Sequence, residues 1–561
     1  MVKVGIPDCK AHRDAKLRIG VAKRRAAGGE PYRGDLSRDA KLGFMSINDR
    51  SLGETIENNA LWYANRLAVA TDDRQLTHAQ FADRCRSLAS GLAKLGLRHQ
   101  DRFAVLAQNC MEYLEAYGAA EISGIILATV NYRLAPPEMD YIIADSAPAA
   151  LIFETAYSDY VTTLRQKPGT IKHFIAIGPD CPDWAEPFEA VVSNGDASGP
   201  PFRATGGDIA YVIYTSGTTG RPKGCLLGHS NQIAAAHMTA LHMNNGCDDR
   251  TLAVMPLYHI GAKNIQLAQH WVGGAVYLHR AFRPLETLNA ISAHHITVGH
   301  MAPTMIQMLL EAPSFDSHDL SSLRMILYSA APMPLPLLRQ GLERIGPVFA
   351  QIYGQTEALG TILPIDLHRP SGDADDLRRL ASVGHPYAGV RMRCVDEMDR
   401  PVGIGEEGEI CIQGQCVMRG YWNNGAATLD ALRGGWLHTG DIGMMDHEGY
   451  FHLLDRKKDV IISGGENIYS REVEAAVAEH PDVVEVAVIG LKDEKWGEVV
   501  TAVIVSRRPD LSQAEIEAHS RKMIAGYKIP RRIYFVPELP VLPSGKINKV
   551  QLREQLQAGV L

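Results

Sequence analysis

The stretch Tyr214-Thr-Ser-Gly-Thr-Thr-Gly-Arg-Pro-Lys-Gly224 guides the interpretation of the whole chain. Residues 208–214, which lead into it, are β-branched and aromatic without Gly or Pro, which predicts a buried strand. Hydroxyl groups and glycines follow, so that side chains and backbone N–H groups can surround an anion, while Arg221 and Lys223 add positive charge. This is the chemistry of a polyphosphate-binding loop. The G-x-x-x-x-G-K-[ST] spacing of a Walker A loop is absent, and the residues after Lys223 predict a second strand.

The composition is that of a globular protein. A length of 561 residues predicts two or more domains, and 46% hydrophobic residues suffice for a large core. The net charge of −7 gives no indication of a nucleic-acid-binding protein. The longest apolar run, near residues 118–130, is interrupted by Glu121 and Gly124, so no membrane-spanning segment is expected. Nine cysteines without a C-x-x-C pair indicate neither a disulfide framework nor a metal site, and a cytoplasmic location is expected.

The first 44 residues are basic and lack the apolar core of a secretory signal. A disordered leader is expected there, with an organelle-targeting or surface arm as the alternative. Regular structure is expected from about Met45, and Ser51-Leu-Gly-Glu54 predicts the start of a helix.

Helical and strand patterns then alternate. Helices are predicted over residues 76–95 and 112–121, and another after Ser230, which is a good N-cap residue. Strands are predicted over 102–107, 125–130, 149–153, 173–177, 486–489 and 499–505. Strands that alternate with helices favour β-α-β crossovers and a largely parallel sheet.

Four further motifs follow the loop in order: Pro256-Leu-Tyr-His259, Tyr353-Gly-Gln-Thr-Glu357, Trp436-Leu-His-Thr-Gly-Asp441 and Pro543-Ser-Gly-Lys546. Each alone is compatible with a turn or a helix start. Together with the loop they resemble the signatures of the adenylate-forming superfamily, which includes acyl-CoA synthetases, adenylation domains and firefly luciferase. The resemblance covers the chain from about Met45 to its end and implies an α/β fold. Residues 45–457 would form a large N-terminal domain of α/β layers with a β-rich subdomain, and 458–561 a small α+β domain hinged at Lys458.

The resemblance also implies roles for individual residues in ATP binding. Lys546 would be the adenylation lysine, and Glu357, Thr356 and His259 would complete the catalytic set. Mg²⁺ would be held by Glu357 and Thr218, since this hard cation prefers oxygen ligands. The ATP-binding residues would be Thr215, Ser216, Gly217, Thr218, Thr219, Gly220, Lys223, Ala330, Ala331, Tyr353, Gly354, Gln355, Thr356, Asp441, Arg456 and Lys546.

Two further sets follow from the same resemblance. The acyl pocket would be lined by His259, Lys263, His300, Met301, Tyr328 and Gly360, and CoA would meet Gly464, Gly465, Trp496, Tyr527 and Arg531. Lys263 is as well explained by a surface or helix-start position. A homodimer is a further expectation.

These observations predict an acyl-CoA synthetase. It would use Mg-ATP to convert a carboxylic acid, medium-chain or aromatic, into acyl-AMP and pyrophosphate, and would then transfer the acyl group to CoA. A stand-alone enzyme that loads a carrier protein and a luciferase-like oxygenase remain alternatives, since both form the same adenylate. A catalytically silent ATP-binding protein is a third, against which Lys546, Glu357 and Asp441 argue.

Overall fold

Helices and strands alternate along most of the chain, as predicted. The structure, a computed structural model, describes residues 49–215, 221–331, 333–542 and 546–560. The predicted leader 1–44, residues 216–220 of the phosphate loop and residues 543–545 lie outside the described residues. The described helices are α1 (Leu52–Trp62), α2 (His78–Lys94), α3 (Met111–Ser123), α4 (Pro136–Ser146), α5 (Ser158–Arg165), α6 (Phe188–Asn194), α7 (His229–His242), α8 (Ile260–Trp271), α9 (Pro284–His294), α10 (Pro303–Leu310), α11 (Leu335–Arg344), α12 (Ala374–Leu380), α13 (Gly425–Ala431), α14 (Ser470–Ala478), α15 (Gln513–Ser520) and α16 (Lys549–Gln557).

The strands belong to four sheets. In chain order they are β1 (Leu67–Ala70), β2 (Gln75–Thr77), β3 (Arg102–Leu106), β4 (Ile126–Thr129), β5 (Ala150–Glu154), β6 (His173–Ile177), β7 (Glu186–Pro187), β8 (Ile209–Thr215), β9 (Lys223–Gly228), β10 (Arg250–Ala253), β11 (Ala275–Leu278), β12 (Val298–Met301), β13 (Met325–Tyr328), β14 (Phe349–Gly354), β15 (Leu359–Leu363), β16 (His385–Pro386), β17 (Val390–Val395), β18 (Gly408–Gly414), β19 (Gly420–Tyr421), β20 (Leu437–Met445), β21 (Phe451–Arg456), β22 (Ile461–Ser463), β23 (Glu466–Ile468), β24 (Val483–Asp493), β25 (Gly497–Ser506) and β26 (Arg532–Phe535).

Two large sheets are mainly parallel. One has the order β16-β15-β14-β13-β12-β10-β11-β1-β2 and the other the order β19-β9-β8-β4-β3-β5-β6-β7. In the first sheet β10, β12, β13 and β14 are parallel neighbours, so their carboxyl ends meet at one edge. Ligands of open α/β sheets bind at such an edge. The predicted parallel α/β architecture is confirmed.

Two smaller sheets complete the described fold. The four-stranded sheet β17-β18-β20-β21 is antiparallel and corresponds to the predicted β-rich subdomain. The last sheet has the order β23-β22-β25-β24, with β26 beside β25, and lies wholly after residue 460. Its strands and helices enclose their own apolar clusters, including Val473, Val488 and Val500. The boundary at residue 458 stays a prediction.

Local signals located most elements to within a few residues. The strand predicted at 173–177 is observed there, and Ser51 caps α1 while its N–H donates to the Glu54 carboxylate. The predicted N-cap at Ser230 is wrong: α7 begins at His229 with Gly228 as its N-cap, and Ser230 is buried in the first turn. No helix in the described parts of the chain has the length and apolarity to cross a bilayer.

Candidate functional site

Strands β8 and β9 hold the two ends of the phosphate loop together. They pair in antiparallel fashion, with Thr215 opposite Lys223, so the residues that flank the loop on its two sides are neighbours. Ser216, Gly217, Thr218, Thr219 and Gly220 lie outside the described residues, and their predicted contacts with ATP stay predictions. The Lys223 ammonium lies 5.0 Å from the centre of the Tyr421 ring. The loop is thereby linked to strand β19, which carries Tyr421 and pairs with β9.

Tyr421 joins this loop to the predicted magnesium ligand. Its hydroxyl donates to Glu357 Oε1 at 2.8 Å, and the Met418 N–H donates to the Glu357 carbonyl at 2.7 Å. Thr356 and Glu357 are half-buried and follow directly after the carboxyl end of β14. The sequence interpretation did not include Tyr421, because nothing in the local pattern indicates that this short strand reaches the sheet edge beside the loop.

The predicted ribose-binding residues form one hydrogen-bonded network around Asp441. Its carboxylate accepts from the Tyr353 hydroxyl at 2.7 Å, from Gln355 Nε2 at 2.9 Å and from Arg456 Nε at 2.7 Å. Asp441 and Arg456 are cross-strand partners in β20 and β21, which explains their contact. Gln355 Nε2 also donates to the Thr439 carbonyl at 2.8 Å. The structure brings together residues from three separate motifs.

Gly360 and Gly354 allow close approach around Tyr353. A Cβ at Gly360 would lie 2.8 Å from the Tyr353 ring, and one at Gly354 would lie 3.0 Å from the Ala358 carbonyl. Gly360 therefore makes room for the Tyr353 ring. Ala330 and Ala331, predicted to flank adenine, are both exposed after β13, and Ala330 has a left-handed φ of 72°. This rare conformation for a residue with a side chain shapes the turn at the sheet edge.

Lys546 is near enough to this network to interact with it electrostatically. Its side chain is exposed by surface area, yet it is surrounded by many protein atoms, and this burial lowers the pKa of its ammonium. Arg456 lowers the pKa further, whereas Asp441 and Glu357 oppose the shift. The charge of Lys546 in turn adds to burial in lowering the pKa of His259 to about 4. Lys546 thus reaches the residues of the predicted adenylation site.

Two residues predicted to line the acyl pocket, His259 and His300, lie at the start of α8 and near the carboxyl end of β12. His259 is the N-cap of α8 and is half-buried. Six residues later, Ile265 belongs to one apolar cluster with Val298 of β12 and Leu327 of β13. Since residues two apart on a strand share a face, His300 points to the same side as Val298. Its ring Cε1 would lie 3.4 Å from a Cβ at Gly261, in the first turn of α8.

Two predicted pocket residues lie on the opposite face of this sheet. Met301 and Tyr328 belong to the apolar cluster formed with α9, α10 and α11, and Tyr328 donates to or accepts from His368 Nε2 at 3.0 Å. Their placement in the acyl pocket is therefore wrong. The physical reason is strand alternation: Met301 follows His300, and neighbouring residues of a strand face opposite ways.

Lys263 is also placed differently from the prediction. Its ammonium is 2.5 Å from Glu121 Oε1, donates to Gln266 Oε1 at 2.5 Å and lies 4.3 Å from the Tyr117 ring centre. Glu121 also accepts from the Tyr211 hydroxyl at 2.5 Å. Because this ion pair is almost completely buried against α3 and β8, Lys263 has a structural partner and its assignment as an acyl-pocket residue is withdrawn.

The predicted CoA residues lie in the last sheet. Gly464 and Gly465, with φ of 63° and 88°, form the two-residue turn between β22 and β23. The Trp496 ring packs against Gly464, whose N–H donates to the Trp496 carbonyl at 2.8 Å, and the Arg531 guanidinium lies 4.3 Å from the Trp496 ring centre. Tyr527 is exposed and contacts the neighbouring Lys528.

The residues on either side of Lys458 have partners in different parts of the fold. Lys457 pairs with Glu409 of β18 at 3.1 Å, whereas Asp459 pairs with Arg553 of α16 at 2.8 Å. The change of partner occurs at Lys458, the predicted hinge. Among the described residues, no cluster of three or more His, Cys, Asp or Glu side chains is suited to hold a metal ion.

Known proteins share this arrangement. The profile of the AMP-binding enzyme family matches residues 56–422, and that of the AMP-binding enzyme C-terminal domain matches 472–546. A feruloyl-CoA synthase of Amycolatopsis is 36% identical over 91% of this chain and 100% of its own length. A long-chain-fatty-acid–CoA ligase of Mycobacterium tuberculosis is 33% identical over 87% of this chain and 94% of its own length.

A solved structure agrees with the sequence comparisons. The anthranilate CoA ligase AuaEII, in complex with anthranoyl-AMP, superposes with a TM-score of 0.84 at 27% identity. The match covers 92% of this chain and 100% of that chain. The chain therefore belongs to the AMP-binding enzyme family of the adenylate-forming superfamily and is an AMP-forming acid–thiol ligase of the acyl-CoA synthetase branch.

Proposed function

We propose that this ligase activates an aromatic or medium-chain carboxylic acid with Mg-ATP and transfers the acyl group to CoA. The observation that carries the proposal is the convergence of Lys546 with Glu357, Asp441 and Arg456 beside His259, the N-cap of α8. Of the two acid classes we favour the aromatic one, because feruloyl-CoA synthase and the anthranilate CoA ligase are both named for aromatic acids.

In the first half-reaction a carboxylate oxygen attacks the α-phosphorus of ATP. The phosphorus–oxygen bond to the β-phosphate breaks, and its electron pair leaves with pyrophosphate. Both reactants are anions, so the barrier is largely electrostatic and no general base is required. Lys546 would lie between the carboxylate and the α-phosphate, while Lys223 would face the leaving phosphates.

Mg²⁺ is proposed to share this site with the nucleotide. Mg²⁺ is commonly held by one or two carboxylates together with substrate phosphates and water, which suits the single carboxylate of Glu357. The Tyr421 hydroxyl orients that carboxylate through its 2.8 Å hydrogen bond. When bound, the ion would neutralise charge on the phosphates.

On the nucleotide side Asp441 would accept hydrogen bonds from the ribose hydroxyls, with Arg456, Gln355 and Tyr353 keeping the carboxylate in place. In the second half-reaction the sulfur of CoA attacks the acyl carbon, the carbon–oxygen bond to AMP breaks, its electron pair leaves with AMP, and the thiol proton is released to the solvent. Rotation of residues 458–561 about Lys458 would withdraw Lys546 and present the Gly464 turn and Trp496 to CoA. The exchange of ion-pair partners on the two sides of Lys458 supports this hinge.

The test is pyrophosphate and AMP release with Mg-ATP across short, long, aromatic and dicarboxylic acids, each with and without CoA. We expect one acid class to stand out and AMP plus thioester to form only when CoA is present. Pyrophosphate release that is the same with and without CoA would favour a carrier protein as acceptor. Oxygen consumption or light emission would favour the oxygenase. No pyrophosphate release from any acid of the panel would contradict the proposal.

A further inference from the structure

Two hydrogen bonds at the start of α14 join residues on opposite sides of the predicted hinge, Lys458. The Tyr469 hydroxyl donates to Glu407 Oε2, and the Ser470 N–H donates to Asp455 Oδ2 at 2.5 Å. Glu407 directly precedes β18 and Asp455 lies in β21, so both acceptors belong to the region of the four-stranded sheet. The first residues of one helix thus bind carboxylates that precede the hinge.

Three of the four partners in these hydrogen bonds are buried. Tyr469 is 7% exposed, Ser470 0% and Asp455 3%, whereas Glu407 is exposed. Tyr469 is the N-cap of α14, and a carboxylate beside the first turn is favourable because it faces the positive end of the helix dipole. Burial and the Glu407 carboxylate raise the pKa of Tyr469, so its hydroxyl keeps its proton at neutral pH and can donate.

Helix α14 packs on the last sheet. Val473 and Val477 share an apolar cluster with residues of β24 and β25, so the helix is expected to move together with these strands. The rotation about Lys458 that the proposed function requires would carry α14 away from the four-stranded sheet. The two hydrogen bonds therefore belong to the orientation that the structure shows.

The same helix is connected to the segment that carries Lys546. Lys549, three residues after Lys546, donates to Ser470 Oγ at 2.7 Å and pairs with Glu474 Oε1 of α14 at 2.7 Å. In this orientation Lys546 interacts electrostatically with Asp441. Contacts that fix the start of α14 beside the four-stranded sheet therefore also fix the lysine proposed to act in adenylate formation.

We propose that Tyr469 is a positioning residue whose hydrogen bond to Glu407 keeps Lys546 in the orientation for acyl-adenylate formation and breaks for thioester formation. The assignment rests on the proposed function, because it requires residues 458–561 to take two orientations. A contact made in only one of two orientations shifts the equilibrium between them by its own free energy. Tyr469 thereby sets the balance between the two half-reactions.

The first experiment uses Tyr469→Phe, which keeps the buried ring and removes only the hydroxyl. Single-turnover rates are measured for adenylate formation from acid and Mg-ATP without CoA, and for thioester formation from supplied acyl-adenylate and CoA. The acid is cinnamate if the panel favours aromatic acids and octanoate if it favours medium-chain acids. Each rate depends on the fraction of molecules in the required orientation. We expect the ratio of thioester to adenylate formation to rise about 10-fold, the low end for a hydrogen bond to a charged group, because Glu407 is exposed.

The matched control is Tyr534→Phe in β26, which makes the same change within the last sheet and should keep the wild-type ratio. Glu407→Gln retains an acceptor oxygen and should raise the ratio less than Glu407→Ala. Combining Tyr469→Phe with Glu407→Ala should raise the ratio no further than either change alone, because both remove the same bond. A smaller fraction of folded protein lowers both rates equally and leaves the ratio unchanged.

Hydrogen–deuterium exchange tests the contact without any substrate. In Tyr469→Phe the backbone amides at the start of α14 should exchange about 10-fold faster than in the wild-type protein, since the Ser470 N–H is released whenever the helix leaves Asp455. Tyr534→Phe should leave the exchange of these amides unchanged.

The outcomes separate the two proposals. An unchanged ratio in Tyr469→Phe, or an equal change in Tyr534→Phe, would overturn the role of Tyr469 and leave the ligase proposal standing. No pyrophosphate release by the wild-type protein from any acid of the panel would overturn the proposed function. In that case unchanged exchange at α14 would overturn the contact as well, whereas faster exchange in Tyr469→Phe would support the contact by itself.

Discussion

Lys263 and Lys546 are both lysines whose pKa is lowered by burial, but they differ in their partners. Lys263 is 2.5 Å from Glu121, and both side chains are sealed from solvent. Lys546 has no ion pair within 4.0 Å among the described residues, although Asp441 and Glu357 are near enough to affect its pKa. Burial alone therefore does not mark a functional lysine. A charge that the protein itself leaves without a close counter-ion is available to a substrate.

The largest effect is expected when the structural pair is broken. Lys263→Met leaves the Glu121 carboxylate buried without its cation, which should lower the free energy of unfolding by about 3–5 kcal/mol. Adding Glu121→Gln should recover most of this loss. Urea denaturation followed by circular dichroism measures both, with exposed Lys172→Met as the control. An unchanged unfolding midpoint accompanied by weaker acid binding would return Lys263 to the acyl pocket.

Lys546→Ala should instead spare stability and remove activity. Loss of a positive charge at the developing transition state should slow acyl-adenylate formation by at least about 10²–10³-fold. Thioester formation from supplied acyl-adenylate and CoA should change little, because Lys546 is proposed to be withdrawn in that step. Single-turnover assays of each half-reaction distinguish the two steps. Equal loss in both would contradict the hinged two-state assignment.

Asp441→Asn tests the hydrogen-bonded network around Asp441. The change removes the charge that pairs with Arg456 and should raise KM for ATP by about 10- to 100-fold, as for hydrogen bonds to charged groups. The KM for the acid should stay near the wild-type value. ATP titrations at saturating acid measure this effect. A rise in the KM for the acid alone would contradict the assignment of Asp441 to the ATP-binding part of the site.

The smallest expected effect is on the pH dependence of stability, to which the buried histidines contribute. Burial lowers the pKa of His229, His259, His300 and His368 to about 4 and that of His270 to about 3. The unfolded chain therefore binds more protons than the folded one below about pH 6.5, and stability falls as the pH falls toward 4. Glu115, whose pKa burial raises to about 6, works in the opposite direction.

His270→Gln isolates one of these contributions. A single buried histidine should lower the free energy of unfolding by about 0.7 kcal/mol between pH 7 and pH 6. In the variant the free energy of unfolding should therefore fall by about 0.7 kcal/mol less over this range. Unfolding free energies at the two pH values measure it, with exposed His447→Gln as the control. A free energy of unfolding that rises as the pH falls from 7 to 6 in the wild-type protein would contradict the expected direction of the pH dependence.

Sequence patterns were most reliable where one short range of residues carries the whole signal. The strand at 173–177 and the paired strands around the phosphate loop follow from residue type and spacing alone. The order of the motifs was enough to predict the ligase class and to group Tyr353, Gln355, Asp441 and Arg456, which the structure joins in one network.

The predictions of site residues failed where the position of a side chain depends on how its strand is placed in the sheet. Met301 and Tyr328 were assigned to the pocket from the family resemblance, but both lie in strands whose alternation turns them to the face opposite His300. Tyr421, missed in the sequence, reaches Glu357 only because β19 adds to the edge of the sheet beside β9.

The sequence by itself determined the family, the parallel α/β architecture and the motifs for ATP, since these depend on local pattern and on the order of segments. Only the tertiary structure decided which buried polar groups are paired. Lys263 pairs with Glu121, whereas Asn264 Oδ1 and His300 Nδ1 are buried without a hydrogen-bond partner among the described residues. Pairing depends on the directions of side chains from distant elements, and local spacing carries no information about those directions.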